Sequence, residues 1–226
     1  MELNHADPAY QQAMSHYLAG EWTDSEKAFL ALAETYPRSP FIYLILGNIR
    51  YSLGKLDEAV ATYHTATEIN PRFGIAFYKL GVCYYRMGRL EEALKAFSAV
   101  VAMGSESHAM AGYFVGLINL FLGKDEAAAK GFADFRGKSR ESLIANFYLA
   151  QLKIKHKQYD EALELLNELA EATPDFAEVH YMLGVANYGL HNNLQAIKCF
   201  QRALELNPED ERSKTKLTLL TDVQWP

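Results

Sequence analysis

The chain has 226 residues, 50% hydrophobic and 22% charged, with a formal net charge of −6, a composition that excludes a disordered chain and suits a folded globular one. Its acidic balance, with a pI near 5.7, argues against broad binding to a nucleic-acid backbone, which needs concentrated Lys and Arg. The opening MELNHADPAYQQ lacks the basic start and apolar run of a secretory signal, and Cys83 and Cys199 show no redox or metal spacing, so reduced, buried thiols and a cytoplasmic location are expected.

In chain order, apolar periodicity predicts helix pairs over 7–19 and 23–36, 40–53 and 57–70, 74–87 and 91–103, 108–122 and 125–136, 142–155 and 159–172, and 177–190 and 194–206. After Pro208, EDERSKTKLTLLTDVQW reads as a last amphipathic helix, Leu217 and Leu220 on its apolar side and Lys and Arg opposite. These pairs repeat. Ser25, Ala59, Ala93, Ala128, Ala162 and Ala196 are separated by 34, 34, 35, 34 and 34 residues, and four positions after each stands Phe29, Tyr63, Phe97, Phe132, Leu166 or Phe200. Five positions before each small residue lies a turn residue: Gly20, Gly54, Gly88, Gly123, Lys157 or His191. Four units close with Pro37, Pro71, Pro174 and Pro208, where the other two have Ser105 and Arg140. Upstream in the last five units stand Leu46-Gly47, Leu80-Gly81, Val115-Gly116, Leu149-Ala150 and Leu183-Gly184. Small residues let backbones approach, the bulky residue fills the space beside them, and Gly and Pro end the first and second helices respectively.

This pattern resembles the tetratricopeptide repeat, W-x2-L-G-x2-Y…A-x3-F…P at a 34-residue period. The resemblance runs over roughly residues 6 to 208. It implies an all-α fold, an α-solenoid in which antiparallel helix pairs wind into a right-handed superhelix. A single array is expected, with repeats at about 6–39, 40–73, 74–107, 109–142, 143–176 and 177–210 and a capping helix at about 209–223. The fourth unit departs most. It follows a one-residue insertion, has Gly112 at a normally bulky position and closes with FRGKSR, so its junctions are expected to be the most deformable.

The resemblance also implies that first helices line a concave ligand-binding surface. Helical geometry sorts the residues opposite the small packing position. In the second unit these are Leu44, Ile45, Asn48, Tyr51 and Ser52, and in the third Tyr78, Lys79, Val82, Tyr85 and Arg86. The fourth gives Met110, Tyr113, Phe114, Leu117, Leu120 and Phe121. The fifth gives Phe147, Tyr148, Gln151, Ile154 and Lys155, and the sixth Tyr181, Met182, Val185, Tyr188 and Gly189. The expected groove is aromatic and aliphatic, with cations at Lys79, Arg86 and Lys155, and its tyrosines serve equally as scaffold in such arrays. Phe114, Leu117 and Phe121 occupy positions where polar groups are common, which marks them as anchors for a partner unless neighbouring helices cover them.

The segment AGYFVGLINLFLG lies in a stretch with no Asp, Glu, Lys or Arg between Glu106 and Lys124. It is shorter than the ~20 residues of a membrane span, and the repeat register runs through it. Asn119 falls on the packing side, like Tyr84 and Asn187 in neighbouring units. The seven histidines form no metal motif, and no phosphate loop or nucleophile elbow is visible. Acidic pairs such as Asp57-Glu58, Glu91-Glu92 and Asp160-Glu161 open second helices, where the helix dipole accounts for them. Lys130, Arg136, Lys138 and Arg140 form a basic cluster that reads as solvated surface, with docking of an acidic peptide as the lesser alternative. The cations that grip acidic chaperone tails in some tetratricopeptide arrays are missing, since Leu44, Met110 and Phe114 stand at those positions.

The expected function is therefore a non-catalytic scaffold or adaptor, without cofactor or metal, that binds an apolar or amphipathic peptide or helix. The alternatives are a self-assembling structural protein, joined through groove or terminus, and the regulatory subunit of a larger enzyme complex. Neither nucleic acid nor membrane insertion is expected.

Overall fold

The computed structural model describes residues 3–104, 109–138 and 143–222, and among these thirteen α-helices follow one another without a strand. They are α1 Pro8–Ala19, α2 Trp22–Thr35, α3 Pro40–Ser52, α4 Leu56–Ile69, α5 Gly74–Arg86, α6 Leu90–Ala102, α7 Met110–Phe121, α8 Asp125–Lys138, α9 Leu143–Lys155, α10 Tyr159–Ala172, α11 Ala177–Gly189, α12 Asn193–Leu206 and α13 Glu211–Thr221. The expected pairs are reproduced, so the fold is all-α and built as an α-solenoid of successive antiparallel helix pairs. Ser105, His108 and Arg140, the junctions flanking the fourth repeat and the final VQWP lie outside the described residues. By Cα proximity the chain divides into two compact units, Met1–Ile118 and Asn119–Pro226.

In the first unit each repeat is locked by its small and bulky residues. Phe29, Tyr63 and Phe97 are buried beside Ser25, Ala59 and Ala93. The Leu-Gly glycines sit directly under these rings: a Cβ on Gly47 would stand 2.5 Å from the Tyr63 ring, and one on Gly81 2.8 Å from Phe97. No side chain fits there without displacing an aromatic core residue. Glu26 joins the first two repeats, accepting from Arg50 Nε at 3.2 Å and Lys55 Nζ at 2.7 Å, while Arg50 also donates to Thr62 Oγ1. Cys83 is buried and free, and burial pushes its thiol up to about 11.

The second unit repeats the arrangement with Phe132, Leu166 and Phe200 buried beside Ala128, Ala162 and Ala196, and Gly184 lies under Phe200. All six turn positions adopt positive φ, including Lys157 at 60° and His191 at 62°. Asn119, Tyr84 and Asn187 are buried, as their packing-side register requires. One expectation for α13 needs correction. Its cationic side does not face away from the array: the Arg212 guanidinium lies 4.2 Å above the Tyr181 ring and Lys216 lies 5.1 Å from Tyr188. Arg212 also bonds Glu178 and Asp210, which ties α13 onto α11.

Candidate protein-docking face

In the first unit the first helices of the repeats lie side by side. Asn48 on α3 donates to the Tyr17 hydroxyl of α1 at 3.4 Å and accepts from Tyr63 at 2.8 Å. The Arg86 guanidinium of α5 lies 4.9 Å over the Tyr51 ring of α3. Phe114 of α7 stacks on Phe97 at 4.6 Å and meets the edges of Tyr85 and Tyr78 at 5.4 and 6.3 Å. Burial raises the Tyr78 hydroxyl above its ordinary range. Tyr78, Lys79, Val82, Tyr85, Tyr113, Phe114 and Leu117 are all half-buried, Arg86 is exposed and Met110 is 41% exposed.

Helix geometry alone placed some residues wrongly. Leu44 and Ile45 are buried, and Ile45 belongs to the core with Tyr10, Phe29 and Leu32. For Ile45 the reason is the neighbouring repeat, whose α1 and α2 supply Tyr10, Phe29 and Leu32 against it. Phe114 is likewise engaged by its own scaffold through Phe97 rather than standing free.

The second unit carries the remaining candidates. Phe121 is 62% exposed, whereas Leu120 is half-buried. Tyr148 stacks on Phe132 at 4.8 Å, and Phe147 stacks on Phe176 at 5.8 Å. Gln151 is half-buried. Lys155 is exposed but committed to Asp125 at 2.6 Å, and that lysine, opposed by partial burial and helped by His156, holds the Asp125 carboxyl below its ordinary range. Met182 is only 4% exposed and leaves the candidate surface, and Tyr181 lies under Arg212. Exposed Leu143, Ile144 and Phe176 were missed. Phe176 precedes α11, outside the helix register from which the face was sorted.

A second missed feature is the distribution of charge. Helices α1, α3, α5 and α7 contain no Asp or Glu, whereas α2, α4 and α6 carry acids in their first turns at Asp24, Asp57, Glu58, Glu91 and Glu92. Arg50 of α3 is paired with Glu26. Lys79 and Arg86 have no carboxylate partner among the described residues. Among those residues there is also no group of three His, Cys, Asp or Glu side chains placed to hold a metal, and no helix long and apolar enough to cross a membrane.

Comparison with known proteins agrees with this architecture. Tetratricopeptide-repeat models match residues 9–39, 74–104, 126–186 and 177–210, and a TPR repeat model matches residues 47–88. A 62-residue stretch is 40% identical to the human (Homo sapiens) superkiller complex protein 3, a match covering 27% of this chain and 4% of that protein. Among solved structures, YrrB, described as a TPR protein with an unusual peptide-binding site, superposes with a TM-score of 0.74 at 22% identity, over 84% of this chain and 97% of its own. MamA superposes with a TM-score of 0.66 at 22% identity, over 75% of this chain and 92% of its own. At those identities the structural likeness speaks for the fold alone. With repeat models matching from residue 9 to residue 210 and glycines seated under the buried rings, the chain belongs to the tetratricopeptide-repeat family.

Proposed function

We propose that the chain is a non-catalytic interaction scaffold whose first-helix face holds an apolar or amphipathic peptide or helix of a partner protein. The observation that carries this reading is the half-exposed aromatic surface of α3, α5 and α7, in which rings packed at their bases leave an edge or face to solvent. Rings fixed in this way present apolar area at little entropic cost, which favours recognition. The peptide-binding site named for YrrB supports the same use of the fold.

Phe121→Lys on α7 and Val82→Lys on α5 test the reading. Covering a Phe or Val side chain contributes about 1.5–3 kcal/mol, so each substitution is expected to weaken partner binding about tenfold or more while far-UV circular dichroism stays unchanged. Unaltered affinity in both variants, with the fold intact, overturns the reading.

A further inference from the structure

The charge pattern of the first unit points to a narrower class of partner. Lys79, Val82 and Arg86 stand at i, i+3 and i+7 on α5, so they share one face, with the two cations separated by about 10 Å along the axis. No carboxylate occurs anywhere on α1, α3, α5 or α7, although the chain as a whole carries a net charge of −6. The Arg86 guanidinium lies 4.9 Å over the Tyr51 ring, and its N–H groups have no hydrogen-bond acceptor among the described residues. A guanidinium oriented on a ring, with its donor edge unused, suits a carboxylate. Lys79 is half-buried and has no anionic partner among the described residues. Val82, half-buried, supplies apolar area between the two charges, with the half-buried Tyr78 and Tyr85 beside them.

Resting on the docking reading above, we propose that the first-helix face of residues 8–118 binds an acidic segment of a partner protein, in which Asp or Glu side chains flank an apolar one. In a segment of polyproline II conformation, with three residues per turn and a rise of about 3.1 Å per residue, acids three positions apart share one face about 9 Å apart and can stand opposite Lys79 and Arg86. A second copy of the chain is a poor occupant through the same face, because two such faces bring cations against cations.

The test is selection from a displayed random-peptide library on the full chain, followed by synthesis of the most enriched peptide. The expected result is enrichment of Asp and Glu beside Leu, Phe or Trp, with binding that weakens as salt is raised. Lys79→Gln with Arg86→Gln is expected to weaken the synthetic peptide about tenfold, two partly exposed ion pairs contributing together. Lys79→Glu with Arg86→Glu should redirect selection toward Lys and Arg. Circular dichroism and thermal melting check that both double variants fold, and neither pair of side chains lies in the core. Enriched peptides without acids, bound equally by wild type and the Gln variant but lost in Val82→Lys, overturn the acidic proposal and leave the docking reading intact. Selected peptides indifferent to Val82→Lys and to both charge variants overturn the docking reading and the proposal together. A dimer in sedimentation that the Glu variant dissociates also overturns the proposal, since a second copy then occupies the face.

Discussion

Five residues before the small packing residue of each repeat, the backbone turns through positive φ, and the cost depends on the side chain. Gly54 adopts φ 76° without a Cβ to oppose it, whereas Lys157 and His191 hold 60° and 62°. A residue with a Cβ loses about 1–2 kcal/mol in this conformation, and glycine's greater freedom in the unfolded chain offsets part of the gain from replacing it. Lys157→Gly and His191→Gly are each expected to raise stability by up to about 1 kcal/mol in urea unfolding, and Gly54→Ala to lower it by about as much. Gly81 poses the opposite test. Within a helix, Gly→Ala favours folding by about 1 kcal/mol, but the added methyl would lie 2.8 Å from Phe97, itself buried and stacked on Phe114. Overpacking of that kind costs about 1–3 kcal/mol, so Gly81→Ala is expected to destabilise the protein. A rise in the melting midpoint of that variant removes the steric account of the Leu-Gly pair.

At the scale of the helix, the 34-residue period made the elements legible, because each helix start and stop is encoded by its own turn residue and apolar stripe. The covering of a helix face is not encoded locally. Leu44, Ile45 and Met182 have the register of groove residues, yet neighbouring helices enclose them, and α13 places Arg212 and Lys216 on rings that the register leaves open. The acid-free first helices, by contrast, were readable from sequence once helices rather than residues were compared. The Glu26 network illustrates how α2, α3 and α4 are joined. Burial alone would raise the Glu26 carboxyl, but hydrogen bonds from Lys55 and Arg50 outweigh it and hold it below the ordinary carboxylate range. Its folded value is therefore lower than its unfolded one. The network's contribution is complete above the unfolded carboxylate range, near pH 4.3, and is lost as pH falls through the folded value. Glu26→Gln is expected to cost about 1–2 kcal/mol at neutral pH, and the difference from wild type should shrink as unfolding is measured below pH 4. A difference independent of pH would mean that packing, not charge, joins these helices.

Across the whole molecule, helices pack mainly on their sequence neighbours: α2 on α3, α4 on α5, α10 on α11, with α11 also reaching back to α9. In an array coupled in this way, stability is a sum of repeat and nearest-neighbour contributions, and damage spreads only as far as the packing it disturbs. Ala59, fully buried beside Tyr63, provides a local perturbation. Leu at this position adds three carbons where none fits, an overpacking cost of about 1–3 kcal/mol. If coupling is local, native-state hydrogen exchange of Ala59→Leu should accelerate about 10- to 100-fold in α3, α4 and α5 and leave α11, α12 and α13 at their wild-type protection. Equal acceleration in all of these helices would show one cooperative unit extending through the chain. The distinction bears on binding as well: with local coupling, a segment docked on α3 and α5 stabilises those helices and their neighbours, so protection gained on binding would map the docking face directly.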